Sequence, residues 1–327
     1  MKYFLLALYF MFLLMTPAGA APEDNSTGDK KIVINIPSRS LALYAGEEKI
    51  LLFPVGIGQP DHKTPVGKYT ILYKEKNPVW IKPEKPEEKI DSGPDNPLGY
   101  RWMQLQDLYG IHGTNKPESI GSYVSKGCIR MKEPDVELLY DLVPVGTPVE
   151  ITYNRIVIEK SPEKILTYYI YPDGYNCQPL DLKLVKQALA AYGADPFVSD
   201  ESIAAKLQAA DGQPTYIGKI VHLMVEGSAL EVTGMVADGM IYLPAQAVAQ
   251  QAGLPLNWDE SSGMLTSAGG KVHGYMKKGA LYFSAMDVER LFGLQRDWKN
   301  SELLNLVRPP VENKTVSGRT VAPRAAG

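Results

Sequence analysis

Cysteine is nearly absent from this chain: of 327 residues, only Cys128 and Cys177 carry a thiol. Two thiols exclude a disulfide-dense scaffold and any cysteine-rich zinc site. An excess of one charge sign is missing too, with 34 Lys and Arg against 37 Asp and Glu. A nucleic-acid binder normally shows a basic excess or a basic stripe, and neither is present. The chain also lacks a run of about 20 apolar residues, the length a membrane-crossing helix needs. After Lys2, the apolar run Tyr3 to Met15 covers only 13 residues. It ends in Thr16-Pro17-Ala18-Gly19-Ala20, with the small residues that signal peptidase requires at Ala18 and Ala20. Residues 1–20 are therefore expected to be a signal peptide and 21–30 a linker, placing the mature protein outside the cytoplasmic membrane.

What is present is ordinary globular material. Hydrophobic residues make up 45% and charged residues 22%, enough to exclude wholesale disorder. The length suggests two domains at about 150 residues each. From Lys31 to Tyr153 the pattern favours strands: Ile32, Ile34 and Ile36 alternate with Val33 and Asn35. Leu41 to Tyr44 and Ile50 to Phe53 flank Ala45-Gly46-Glu47, which reads as a hairpin. Further strands are expected at Lys68 to Tyr73, Arg101 to Leu105 and Val149 to Tyr153. One helix is expected, Pro134 to Val143, with Val136, Leu139, Tyr140 and Val143 on one face. The Pro-, Lys- and Glu-rich segment Lys74 to Lys89 is expected to be an exposed loop. Residues 31–153 thus read as a mostly β domain with a short helix.

Residues 154–235 are mixed and read either as a connecting region or as part of the second domain. Helices are expected at Leu182 to Tyr192, capped by Asp181, and at Ser202 to Ala210; strands at Ile217 to Val225 and Leu230 to Val236. An internal repeat follows in 236–307. Gly239, Tyr242, Gly253 and Trp258 recur as Gly279, Tyr282, Gly293 and Trp298, always 40 residues on. Each copy reads as strand, short helix, turn, strand, so this part is expected to be a smaller α+β domain with a duplicated β-α-β unit. Its aromatic residues read as core, and His222 and His273 are lone histidines without a ligand cluster. Residues 308–327 are polar and Pro-containing and are expected to be a disordered tail.

Chemistry concentrates between Ile111 and Arg130. The sequence there is Ile111-His112-Gly113-Thr114-Asn115, then Ser125-Lys126-Gly127-Cys128-Ile129-Arg130. A cysteine nucleophile acts as thiolate and needs a base or a cation nearby. His112 lies 16 residues before Cys128, a gap that lets two adjacent strands bring imidazole and sulfur together. Gly127 allows close backbone approach and leaves local N–H groups for an oxyanion. Arg130 would point the same way as Cys128 in an extended stretch and could hold a carboxylate bidentately. Two blander readings stay open: Cys128 as a small buried hydrophobe, and a disulfide to Cys177. Histidine precedes cysteine here, the reverse of the papain-like order.

These residues resemble a YkuD-type L,D-transpeptidase catalytic domain across residues 31–153. The likeness rests on His112-Gly113-Thr114, on Ser125 to Arg130, and on two further motifs, Thr64-Pro65-Val66-Gly67-Lys68-Tyr69 and Asn96-Pro97-Leu98-Gly99. Many members carry a second histidine where this chain has Lys126, whose charge could also favour the thiolate. The resemblance implies a β-sandwich and a two-step reaction on peptidoglycan stem peptides. Cys128 would form a thioester and release terminal D-Ala; an amine of a neighbouring stem would then take the acyl group, giving a 3→3 cross-link. His112 would be the base, the Gly113 carbonyl its orienting group, and the Gly127 and Cys128 N–H groups the oxyanion donors. Arg130 would hold a stem carboxylate, with Ser125, Lys126, Thr114 and Asn115 as further substrate-contact positions. No metal and no cofactor is implied. The partner would be peptidoglycan, with no nucleic acid, and the setting the bacterial cell wall. Alternatives are an L,D-carboxypeptidase that uses water, or a non-catalytic wall-binding protein. Residues 236–307 resemble the stalk domain of copper amine oxidases, through Tyr242-Leu243-Pro244 with Trp258 and Tyr282-Phe283-Ser284 with Trp298.

Overall fold

The structure is a computed structural model and describes residues 30–82 and 84–310. The expected signal peptide, all but the last residue of the 21–30 linker, and the tail beyond residue 310 lie outside the described residues. The chain divides between Thr152 and Tyr153 into two compact units, each mostly β.

The first unit opens with β1 (Lys30–Asn35), β2 (Ser40–Ala45), β3 (Glu48–Pro54), β4 (Ile57–Gly58), β5 (Gly67–Thr70) and β6 (Tyr73–Lys76). Then come β7 (Trp80–Lys82), β8 (Lys85–Ile90), β9 (Arg101–Gln106), β10 (Tyr109–His112), β11 (Tyr123–Ser125) and β12 (Ile129–Arg130). A helix, α1 (Glu133–Leu142), and β13 (Pro148–Thr152) close it. The expected hairpin is β2–β3, turning at Gly46, whose φ of +58° suits glycine. One sheet runs β3-β2-β1-β13-β5, and a second runs β12-β10-β9-β6. The period-two pattern sets the inward face: Ile32 and Ile34 of β1 and Leu41 and Leu43 of β2 are all fully buried. Each such side chain contributes roughly 1.5–3 kcal/mol by leaving water.

The segment Lys74 to Lys89 corrects an expectation. It is largely exposed, as its composition required, yet most of it is strand rather than loop: β6 joins the second sheet, and β7 and β8 pair with each other. Strand pairing satisfies its backbone without any need for apolar side chains.

Helix α1 starts one residue before the expected Pro134, with Pro134 in the first turn and Glu133 and Asp135 beside it. It has no basic residue in its last turn. Lys74 of β6 supplies one, its Nζ donating to the Tyr140 carbonyl at 2.5 Å and the Val143 carbonyl at 2.6 Å.

In the second unit the strands Ile156–Lys160, Ile165–Ile170 and Thr215–Val225 run in one sheet with Gly234–Ala237 and Met240–Pro244. Residues 156–237 hold a core of their own, in which Leu166, Tyr168, Ile170, Val185, Leu189 and Ile203 are closed from solvent. The helix Leu182–Ala190 is capped by Asp181, which accepts the Leu184 N–H at 2.8 Å. The two repeat copies meet on one another: Leu243 pairs with Phe283, its own counterpart, while Tyr242 faces Ser284 and Pro244 faces Tyr282. That register is a local twofold relation between the copies. Gly253 and Gly293 end the two short helices at φ of +66° and +68°.

Candidate active site

The β9–β10 hairpin and the parallel pairing of β10 with β12 build the site. Ile111 faces Ile129 and His112 faces Arg130 across that ladder, so the 16-residue gap closes as two neighbouring strands. Cys128 stands just before β12. Its Sγ–H donates to the Leu108 carbonyl at 3.3 Å, and neither cysteine is in a disulfide.

The loop that carries Cys128 is pinned by hydroxyls. Thr64 Oγ1 donates to the Gly127 carbonyl at 2.8 Å and accepts the Gly58 N–H at 2.8 Å. Ser125 Oγ donates to the Cys128 carbonyl at 2.6 Å and accepts the Gly127 N–H at 3.1 Å. Gly127 itself has φ of +115°, and a Cβ there would overlap the Tyr109 ring. Only glycine fits on both counts. Two expectations change as a result. The Gly127 N–H is engaged by Ser125 rather than open to an oxyanion, and the Ser125 hydroxyl is buried in loop support rather than presented to substrate.

His112 is 4% exposed and lies against Trp102, ring centroids 5.7 Å apart. Its Nδ1 is 2.7 Å from the Gly113 carbonyl, which makes Nδ1 the protonated nitrogen. Burial, then the Arg130 charge, push its pKa down to about 4, against weaker opposing hydrogen bonds to the Gly113 and Leu98 backbone. Cys128 moves the other way: burial raises the thiol, while the Gly110 backbone and the Arg130 charge pull it down. At neutral pH both groups therefore rest uncharged.

Arg130 is half-buried and its Nε, enclosed by protein, has no hydrogen-bond partner. A guanidinium two residues after the nucleophile has the planar fork that holds a carboxylate. Lys126 is elsewhere engaged: its Nζ pairs with Glu84, just before β8. The cation acting on Cys128 is Arg130, which corrects the role suggested for Lys126. Thr114 is buried, its Oγ1 accepting the Lys116 N–H at 3.1 Å. Asn115 is exposed, its Nδ2 donating to the Asp95 carbonyl at 3.0 Å.

Three residues of the site escaped assignment from sequence. Thr64 lay inside a quoted motif, as did Asn96, which is fully buried and donates to the Pro78 carbonyl at 2.8 Å while accepting the Leu98 N–H at 2.8 Å. Glu133 gave no signal beyond its place at a helix start. Its carboxylate accepts the Thr114 N–H at 2.6 Å and the Tyr100 N–H at 3.0 Å.

A family model described as YkuD, the L,D-transpeptidase catalytic domain, matches residues 29–151. A Bacillus subtilis protein named as an L,D-transpeptidase, YqjB, is 36% identical over 171 residues, covering 49% of this chain and 93% of its own length. The Salmonella typhimurium protein ErfK/SrfK, named likewise, is 35% identical over 145 residues, covering 40% of this chain but 47% of its own. Among solved structures, an L,D-transpeptidase from Mycobacterium smegmatis aligns with 38% of this chain and 58% of its own at 24% identity, with a TM-score of 0.33.

Proposed function

Because the chain belongs to the YkuD family of L,D-transpeptidases, which are cysteine-dependent acyltransferases, we propose that it cross-links peptidoglycan through Cys128. The observation that carries this reading is the adjacency of His112 and Arg130 across the β10–β12 ladder, whose strand β12 begins one residue after Cys128.

The substrate is the tetrapeptide stem, bound with a carboxylate on Arg130. Both resting groups are neutral, so His112 acts as a true general base. It takes the Cys128 proton at Nε2 as sulfur attacks the carbonyl of the third residue. Cys128 lies just outside the ladder that begins at Ile129, and its N–H is the donor left to receive the oxyanion. The imidazolium then gives its proton to the departing amine of D-Ala, leaving a thioester. An amine on a second stem attacks in the reverse sense, delivering the acyl group and restoring the thiol. Trp102 and burial hold the ring, and the Gly113 carbonyl fixes the proton at Nδ1.

The setting is the cell wall, reached by the signal peptide at residues 1–20. No helix among the described residues is long and apolar enough to cross a membrane. The second unit, with its stalk-like repeats, serves to place the first on the polymer. Intact-mass analysis with a defined tetrapeptide stem tests the reaction: loss of D-Ala and an adduct on Cys128, absent in Cys128→Ala, are expected. Absence of any adduct on the intact protein overturns the reading.

A further inference from the structure

Glu133 stands at the start of α1, half-buried, with both carboxylate oxygens occupied by backbone N–H groups of two different loops. Oε1 holds the Thr114 N–H at 2.6 Å. That N–H and the Gly113 carbonyl are the two ends of one planar peptide unit. The Gly113 carbonyl in turn lies 2.7 Å from His112 Nδ1. A continuous chain therefore runs from carboxylate to peptide to imidazole. Oε2 holds the Tyr100 N–H at 3.0 Å, in the peptide next to the Leu98 carbonyl, the second backbone group that hydrogen-bonds the ring. The carboxylate fits only because Gly99 and Gly113 lack side chains; a Cβ at either would overlap it.

We infer that Glu133 is a positioning residue for the imidazole. It ties together the two loops whose carbonyls orient His112, and it polarises the Gly113–Thr114 peptide that accepts the Nδ1 proton. Hydrogen bonds in series strengthen one another, most where a charged acceptor ends the chain. The Nδ1 proton stays on the ring throughout. When Nε2 takes the thiol proton, the positive charge that forms on His112 faces a carbonyl whose electron density the carboxylate has raised. The protein thus supplies, through one peptide unit, the negative third partner that a backbone carbonyl alone only approximates. For its kinetic consequence, the inference rests on the acyl-transfer reading above.

The test is Glu133→Gln in the full-length protein, which keeps the shape and one oxygen but removes the charge. Its readout is the Nδ1–H resonance of His112 in ¹⁵N-labelled protein, identified by its loss in His112→Gln. A second readout is the rate of thioester formation from the tetrapeptide stem. The expected result at pH 7 is a folded protein with the Nδ1–H signal moved upfield and the rate lowered about tenfold or more. Lys74→Ala, which loosens the other end of α1, should lower the melting temperature without moving that signal. If Glu133→Gln does not fold, Glu133→Asp retains the charge but withdraws it by one methylene, and the same shift and slowing are expected. An unmoved Nδ1–H signal in whichever variant folds overturns the inference, as does an unchanged rate where the wild type reacts. A wild type that forms no thioester would sink the reaction instead, with the resonance still deciding Glu133.

Discussion

At the scale of single residues, the site combines a base made less basic with a thiol made less acidic. Burial is the first cause of both shifts, and Arg130 partly offsets it only at the cysteine. A neutral imidazole is needed to accept the thiol proton, so thioester formation is expected to persist well below pH 6. It should fail only as pH drops through about 4, where His112 charges. The rate of adduct formation followed by mass across pH 3.5–8 checks this; an acid limb near pH 6.5 would show an exposed, ordinary histidine. The same shift acts on stability. The unfolded chain takes up a proton near pH 6.5 and the folded one near 4, so stability declines as pH falls across that window. The linked loss amounts to about 3 kcal/mol. Thermal melts of the wild type and His112→Gln between pH 7 and 4 should diverge in that range. Arg130→Lys keeps the charge but loses the planar fork, so it should slow turnover of the stem about tenfold or more while barely altering the melting temperature. Equal turnover with lysine would make Arg130 a packing residue. Cys177→Ser, by contrast, should leave the rate unchanged, because Cys177 is exposed in the other unit.

At the scale of elements, the nucleophile is held by a loop that no single strand or helix defines. The Thr64 hydroxyl bridges the Gly58 N–H and the Gly127 carbonyl, so Thr64→Val leaves two buried polar groups without that partner. A cost of about 1–3 kcal/mol is expected, with slower acylation because the Cys128 backbone loses its support. Chemical denaturation and adduct kinetics on the same preparation measure both. A variant with wild-type kinetics despite lowered stability would limit Thr64 to folding. Sequence periodicity found β1, β9 and α1, where one face is apolar and the other is not, and apolar runs flanking Gly46 found β2 and β3. Periodicity missed β7 and β8: β7 is only three residues long, and β8 is exposed on both faces until Ile90 and so leaves no alternation to read. Strand Leu303–Val307 also went unassigned: its one polar residue, Asn305, is buried with its apolar neighbours, so no face reads as solvent-facing.

At the scale of the whole molecule, all the site residues lie before Thr152, within the first compact unit. A fragment of residues 28–158 is expected to fold alone and to form the adduct with soluble stem peptide. Action on intact sacculi should fall on truncation if the second unit concentrates the enzyme on its polymer. A fragment with a native circular dichroism spectrum that is inert to peptide would end the division of labour. Unchanged action on sacculi would remove only the targeting role.

The sequence by itself determined the chemistry-bearing residue types and their order. Histidine, glycine, cysteine and arginine at their spacing are local facts, and the resemblance they carry needs no coordinates. It also exposed the 40-residue repeat, because self-similarity is a property of the string. Only the tertiary structure decided which hydrogen-bond partner each group takes. Ser125 and Thr114 turned inward, Lys126 went to Glu84, and Glu133 came to lie behind His112 from a helix 21 positions on. Such choices depend on how buried donors and acceptors are satisfied once the strands have packed. A carboxylate that reaches two distant loops leaves no periodic trace in the chain that carries it.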